Sequence, residues 1–113
     1  KQLFSQLQDD KSTAITSSIT LAEILSFEKL QKDRILFEQT KIRLRQTPNL
    51  EIIAVDEAIS EVASIIKYKY DIALPDAIQI GTAIVSVQEA FITNDRGLKK
   101  IKEIKIIILD DFK

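Results

Sequence analysis

The sequence predicts an α/β layer fold with a mainly parallel sheet flanked by helices on both faces. Three observations carry that expectation. Segments of helical periodicity separate most of the segments of strand character, the pattern left by crossover helices between parallel strands. Ile104 to Leu109 is almost continuously apolar, as expected of a strand covered on both faces. Leu74-Pro75-Asp76-Ala77 opens a helix that is apolar on most sides (Ala77, Ile78, Ile80, Ala83, Ile84, Val85) and so suits a buried position. The chain has 113 residues, enough for one domain and one core spanning residues 1–113.

The elements follow in order. Gln2 to Leu7 reads as the end of a helix, and Asp9-Asp10-Lys11 as a solvated turn. Thr13 to Thr16 is short and β-prone. Thr20 reads as an N-cap with Glu23 three residues on, the spacing of a capping box, for a helix running through Leu21, Ile24, Leu25 and Leu30. A second helix is expected over 33–46, where Ile35 and Ile42, and Phe37 and Leu44, recur at seven-residue spacing on an amphipathic face. Thr47-Pro48-Asn49 ends it. Leu50 to Val55 is a strand, and Asp56 caps a helix with Ile59, Val62, Ala63 and Ile66 at i, i+3, i+4, i+7. Tyr68 to Leu74 is expected as a loop, and Pro75 suits the first turn of the buried helix. Ala90 to Thr93 is a strand, Gly97 to Glu103 one helical stretch, and Asp110-Asp111 a solvent-facing tail.

Absent residues narrow the chemistry. With no Cys there is no disulfide, thiolate nucleophile or Cys-ligated zinc. With no His there is no Ser-His-Asp triad and no imidazole base. Carboxylates, lysines, arginines and hydroxyls remain, and a hydrolase built from these leans on a bound metal ion. The formal net charge of −1 provides no overall basic field, so any nucleic-acid contact depends on a local patch. No apolar run reaches the length of a membrane span.

Three carboxylates, Glu23, Asp76 and Asp95, stand where they can converge on one rim of an α/β sheet. Several carboxylates on one rim hold a hard divalent cation. Each also has a plainer explanation: a capping box for Glu23, the helix dipole for Asp76 in a first turn, and a turn or cap for Asp95 in Asn94-Asp95-Arg96-Gly97. Thr93 and Asn94 either position Asp95 and a water or are ordinary strand-end residues.

Taken in order, Leu21-Ala22-Glu23, Leu74-Pro75-Asp76-Ala77 and Thr93-Asn94-Asp95-Arg96 resemble the PIN domain family, and among its members the small bacterial toxins of the VapC type. The resemblance spans essentially the whole chain. It implies a PIN-like fold, a metal-dependent ribonuclease activity, and Mg²⁺ or Mn²⁺ at Glu23, Asp76 and Asp95, with Thr93, Asn94 and Arg96 positioning the substrate. It implies products with a 5′-phosphate and a 3′-hydroxyl. It also implies an antitoxin protein partner, a homodimer and a cytoplasmic location. Gly97 stands where some members carry a further acidic residue, and Leu98 where many have Phe. The family opens with a central strand ending in Asp, and no such segment precedes Thr13, so the first central strand is expected to be missing from this chain. Three explanations are open for it: the segment lies upstream of Lys1, it has been cut off, or it is lost in an inactive relative.

Arg96 is the leading candidate for RNA contact, followed by Lys99, Lys100 and Lys102, which equally suit a solvated helix face. The basic stretch from Lys29 to Arg45 reads as a helix surface or a face for an acidic partner. The alternative function is a catalytically inactive or truncated PIN-like interaction module, with the amphipathic helix around Ile35, Phe37, Ile42 and Leu44 making dimer or partner contacts. A receiver-like signalling domain fits less well, because its phosphoacceptor Asp and later Lys are not suitably placed.

Overall fold

A computed structural model of the chain describes residues 14–112. The segments expected as a helix end at Gln2–Leu7 and a turn at Asp9–Lys11 lie outside the described residues, as does the question of a strand upstream.

Strand β1 (Ala14–Ser17) pairs in parallel with β2 (Leu50–Ile53), Ala14 opposite Leu50 and Ser17 opposite Ile53. Strand β3 (Ala90–Thr93) pairs in parallel with β4 (Lys105–Ile108), Ala90 opposite Lys105 and Thr93 opposite Ile108. Among the described residues these are two separate two-stranded sheets. Both pairs have helical crossovers or a helical turn between their strands, which is what parallel pairing requires.

Between β1 and β2 lie α1 (Ile19–Leu25), α2 (Glu28–Gln31) and α3 (Arg34–Arg45). The single helix expected from Thr20 through Leu30 is interrupted: the Ser26 hydroxyl donates to the Glu23 carbonyl, and Phe27 takes an extended conformation before α2 restarts. A serine that bonds a carbonyl of the preceding turn competes with helix continuation. Helix α3 begins as expected, with the Asp33 carboxylate accepting from the Leu36 N–H at 3.0 Å. Its apolar face is only partly covered: Phe37 and Leu44 are half-buried, whereas Ile35 and Ile42 are not. None of its residues is buried, and Ile35 and Ile42 are 72% and 49% exposed.

The core lies where α4 (Glu57–Tyr70) meets α5 (Leu74–Val85). Asp56 caps α4, its carboxylate accepting from the Ile59 N–H at 2.9 Å, and Ile59, Ala63 and Ile66 turn inward as their periodicity predicts. Ala63 and Ile66 form one cluster with Ala77, Ile80 and Ala83 of α5 and with Ile72, Leu98, Ile101 and Ile104. Each fully buried isoleucine contributes roughly 1.5–3 kcal/mol of transfer free energy. At Gly81 an added Cβ would stand 3.2 Å from both Ala63 N and Ile59 O, so glycine is what lets the two helices approach backbone to backbone.

The remaining differences from expectation are local. Helix α4 runs on through Tyr68–Tyr70 and stops at Asp71, whose left-handed backbone (φ 53°, ψ 52°) ends it, so the expected loop shrinks to three residues. Strands β2 and β4 are shorter than their apolar runs. The stretch after β3 is a 3₁₀ helix over Arg96–Lys100 rather than a helix to Glu103. The acidic end is a second 3₁₀ helix, Leu109–Phe112, not a free tail.

Candidate active site at the carboxyl rim

Helix α5 packs against both β1 and β3 and ends four residues before β3 begins, so it runs opposite to that strand. Its first turn, with Asp76, therefore lies towards the carboxyl ends of the strands. Ligands of parallel α/β folds collect there. The chain leaving β1 leads to Glu23, and the chain leaving β3 leads to Asp95.

Gln79 joins the elements that carry the first two. Its Nε2 donates to Thr20 Oγ1 at 2.7 Å, and its Oε1 accepts from the Ser17 N–H at 3.2 Å and from Thr16 Oγ1 at 3.4 Å. The Thr16 and Thr20 hydroxyls are 2.7 Å apart. One amide thus fixes α5 against the β1–α1 junction. Ser18 ties the same junction to β2, its Oγ accepting from the Val55 N–H at 3.2 Å.

This network overturns the capping box. The N-cap of α1 is Ser18, which makes no side-chain cap bond, and Thr20 lies inside the helix with its hydroxyl committed to Thr16 and Gln79. Glu23 is exposed on α1 without that local role. Asp76 is half-buried in the first turn of α5, whose positive dipole end favours its charge. Its carboxylate takes no hydrogen bond or ion pair among the described residues.

Asp95 is held differently. Its Oδ1 accepts from the Gly97 N–H at 2.9 Å, capping the 3₁₀ helix, and its own N–H donates to Thr93 Oγ1 at 3.1 Å. A Cβ at residue 97 would lie 3.1 Å from Asp95 Oδ1, so glycine leaves the carboxylate room. The Thr93 hydroxyl thus holds the Asp95 backbone and not its carboxylate. Asn94 instead ties strand ends together, its Oδ1 accepting from the Asp110 N–H at 3.0 Å. Arg96 is engaged with Asp111 at 2.7 Å. That guanidinium lowers the Asp111 pKa, and the carboxylate raises that of Arg96. The 3₁₀ helix carries Lys99 and Lys100 exposed beside it.

The structure does not gather Glu23, Asp76 and Asp95 into one cage: among the described residues, no three acidic side chains are grouped to hold a metal ion. The donor chemistry is nonetheless that of a hard cation, since only oxygen ligands are available. Mg²⁺ keeps several waters and is commonly bound through one or two carboxylates, which an open rim of this kind suits. An open groove of about 440 Å³ beside β2, lined in part by Ser18, Leu21, Arg45 and Leu50, contains none of the three carboxylates.

Gln79, Thr16 and Thr20 form the part of the site missed in the sequence reading. The available signal was a lone amide between Ile78 and Ile80 in a mostly apolar helix. A polar group there is retained only if it finds a partner.

The chain belongs to the PIN domain family, which it matches over residues 1–104, and whose members are generally nucleases. It is also similar to a chain of a solved toxin–antitoxin complex from Klebsiella pneumoniae, at 25% identity and a TM-score of 0.61, over 80% of this chain and 69% of that one. No protein of curated function matches it. No helix among the described residues is long and apolar enough to cross a membrane.

Proposed function

We propose that the chain is a toxin-type ribonuclease that hydrolyses RNA phosphodiester bonds at the carboxyl rim, with Mg²⁺ or Mn²⁺ held by Glu23, Asp76 and Asp95. The observation that carries this reading is Asp76: a half-buried carboxylate, with no partner among the described residues, in the first turn of a helix packed against β1 and β3. The helix end favours an anion at this place, and the carboxylate oxygens are left to a ligand cation. When bound, a hard divalent cation supplies charge neutralisation at the phosphate and lowers the pKa of water. The chain's own residues supply the anionic oxygens, the Gly97 N–H orients the Asp95 carboxylate, and Thr93 holds its backbone. Arg96, Lys99 and Lys100 offer cations to phosphates next to it.

RNA cleavage with added Mg²⁺ or Mn²⁺ tests the reading. Activity that disappears with chelator and in Asp76→Asn, at unchanged melting temperature, is the expected result. Cleavage at wild-type rate by Asp76→Asn sinks it.

The solved relative comes from a toxin–antitoxin complex, and α3 offers Ile35 and Ile42 exposed among Arg34, Lys41, Arg43 and Arg45. That surface suits an acidic antitoxin, and we assign the protein to the cytoplasm as a homodimer bound by one. A second reading, an inactive interaction module, is favoured by the absence of a three-carboxylate group among the described residues. It predicts partner binding with neither cation binding nor cleavage.

A further inference from the structure

We infer that Gln79 is a positioning residue that sets the separation of Glu23 and Asp76 by locking α1 to α5. The inference rests on the reading of these carboxylates as cation ligands. Residues three apart in a helix lie on one face. Thr20 and Glu23 share a face of α1, and Asp76 and Gln79 share a face of α5. The 2.7 Å bond from Gln79 Nε2 to Thr20 Oγ1 turns those two faces towards each other, with each carboxylate one turn from the contact.

The amide is fixed at both ends. Its oxygen is taken by the Ser17 N–H and the Thr16 hydroxyl, which leaves the nitrogen aimed at Thr20. The Thr16 hydroxyl meets Thr20 as well, so rotation of either threonine breaks two contacts. Ser17 is fully buried, so the strand-side anchor sits in the interior rather than on a mobile surface. No other side-chain hydrogen bond joins α1 to α5 among the described residues. Neither Glu23 nor Asp76 is held by a partner of its own there, so their spacing depends on how the two helices are held together. Apolar contacts alone would keep the helices together but permit sliding. A directional bond removes that freedom, as outer-shell hydrogen bonds do around metal ligands.

The test is a calorimetric Mn²⁺ titration of the protein alongside the metal-free melting temperature, for wild type, Gln79→Leu, Thr20→Val and Thr20→Ser. Gln79→Leu and Thr20→Val each break the bond, from opposite sides, with little change of volume. Thr20→Ser keeps the hydroxyl. The expected result is Mn²⁺ affinity weakened about 10–100-fold in the first two and close to wild type in Thr20→Ser. Equal affinity in all four proteins overturns the positioning role and leaves the carboxylate reading intact, even if the melting temperatures fall. Weakening in Thr20→Ser equal to that in Thr20→Val also overturns it. A wild-type protein that binds no Mn²⁺ overturns both.

Discussion

The Tyr70 hydroxyl donates to Glu103 Oε1 at 2.6 Å, across 33 residues of sequence, and accepts the Lys102 N–H at 3.0 Å. Lys69 Nζ reaches the other oxygen of Glu103 at 2.7 Å. The end of α4 is thus fastened to the turn that leads into β4. The Lys69 and Tyr70 hydrogen bonds hold Glu103 well below the usual carboxylate range, at about 2. Glu103 raises the pKa of Lys69 in return.

The sign of the resulting pH dependence follows from linkage. The carboxylate pKa is depressed on folding, so its stabilisation is complete above the unfolded value of roughly 4.3 and is lost as pH falls towards the folded value. The Lys69 contribution is complete below its unfolded value of roughly 10.4 and is lost as pH rises through its folded one. Melting temperature measured against pH should therefore show no slope from this pair between about pH 6 and 9, where its stabilisation is complete, and a decline below about pH 4. Glu103→Gln should flatten part of that acid limb, and an unchanged limb would remove Glu103 as its cause. Tyr70→Phe should cost about 0.5–1.5 kcal/mol at neutral pH, read by urea unfolding.

Much of the fold was legible because local rules and the final structure agree. Asp56 caps α4, Ile59, Ala63 and Ile66 face inward, and Ala90–Thr93 forms β3 as its composition predicts. Some failures are local, such as the Ser26 hydroxyl that interrupts the helix expected through Leu30, and others come from a tertiary partner outbidding a local one. Thr20 satisfies the spacing of a capping box, yet its hydroxyl goes to Gln79, which is 59 residues away. Asp111 reads as a solvated end but meets Arg96, and Asn94 reads as a turn residue but accepts from Asp110 N–H. Each reading weighed sequence neighbours alone, and none of these partners is a neighbour.

Gly81→Ala should destabilise the protein. Alanine favours a helix interior by up to about 1 kcal/mol over glycine, but here its Cβ would press on two backbone atoms of α4 at 3.2 Å. Backbone does not yield as a side chain does, and overpacking of this kind costs about 1–3 kcal/mol. A net loss in chemical denaturation is expected. A gain would mean that α4 and α5 separate freely.

Release of Arg96 should strengthen RNA binding under the proposed function. Asp111→Asn removes the carboxylate that Arg96 contacts at 2.7 Å, freeing the guanidinium for phosphate. The pair is exposed, so stability should change by less than about 1 kcal/mol. Arg96→Ala should weaken RNA binding and reduce the salt slope by about 0.7, the share of one phosphate contact on a single strand. A slope that is identical in Arg96→Ala and wild type would remove Arg96 from the RNA surface.

Glu23→Gln separates a folding role from a ligand role. A capping-box glutamate supports the helix start, and loss of a cap costs about 0.5–2 kcal/mol. In this structure Thr20 is not the cap, and Glu23 is exposed with no partner among the described residues. Its replacement by the neutral isostere should therefore leave unfolding free energy within about 0.5 kcal/mol of wild type. Mn²⁺ affinity should fall in the same variant, because a neutral amide oxygen replaces an anionic ligand. The opposite pair of results, stability lost and affinity kept, would restore Glu23 to a helix-capping role and leave Asp76 and Asp95 to hold the ion without it.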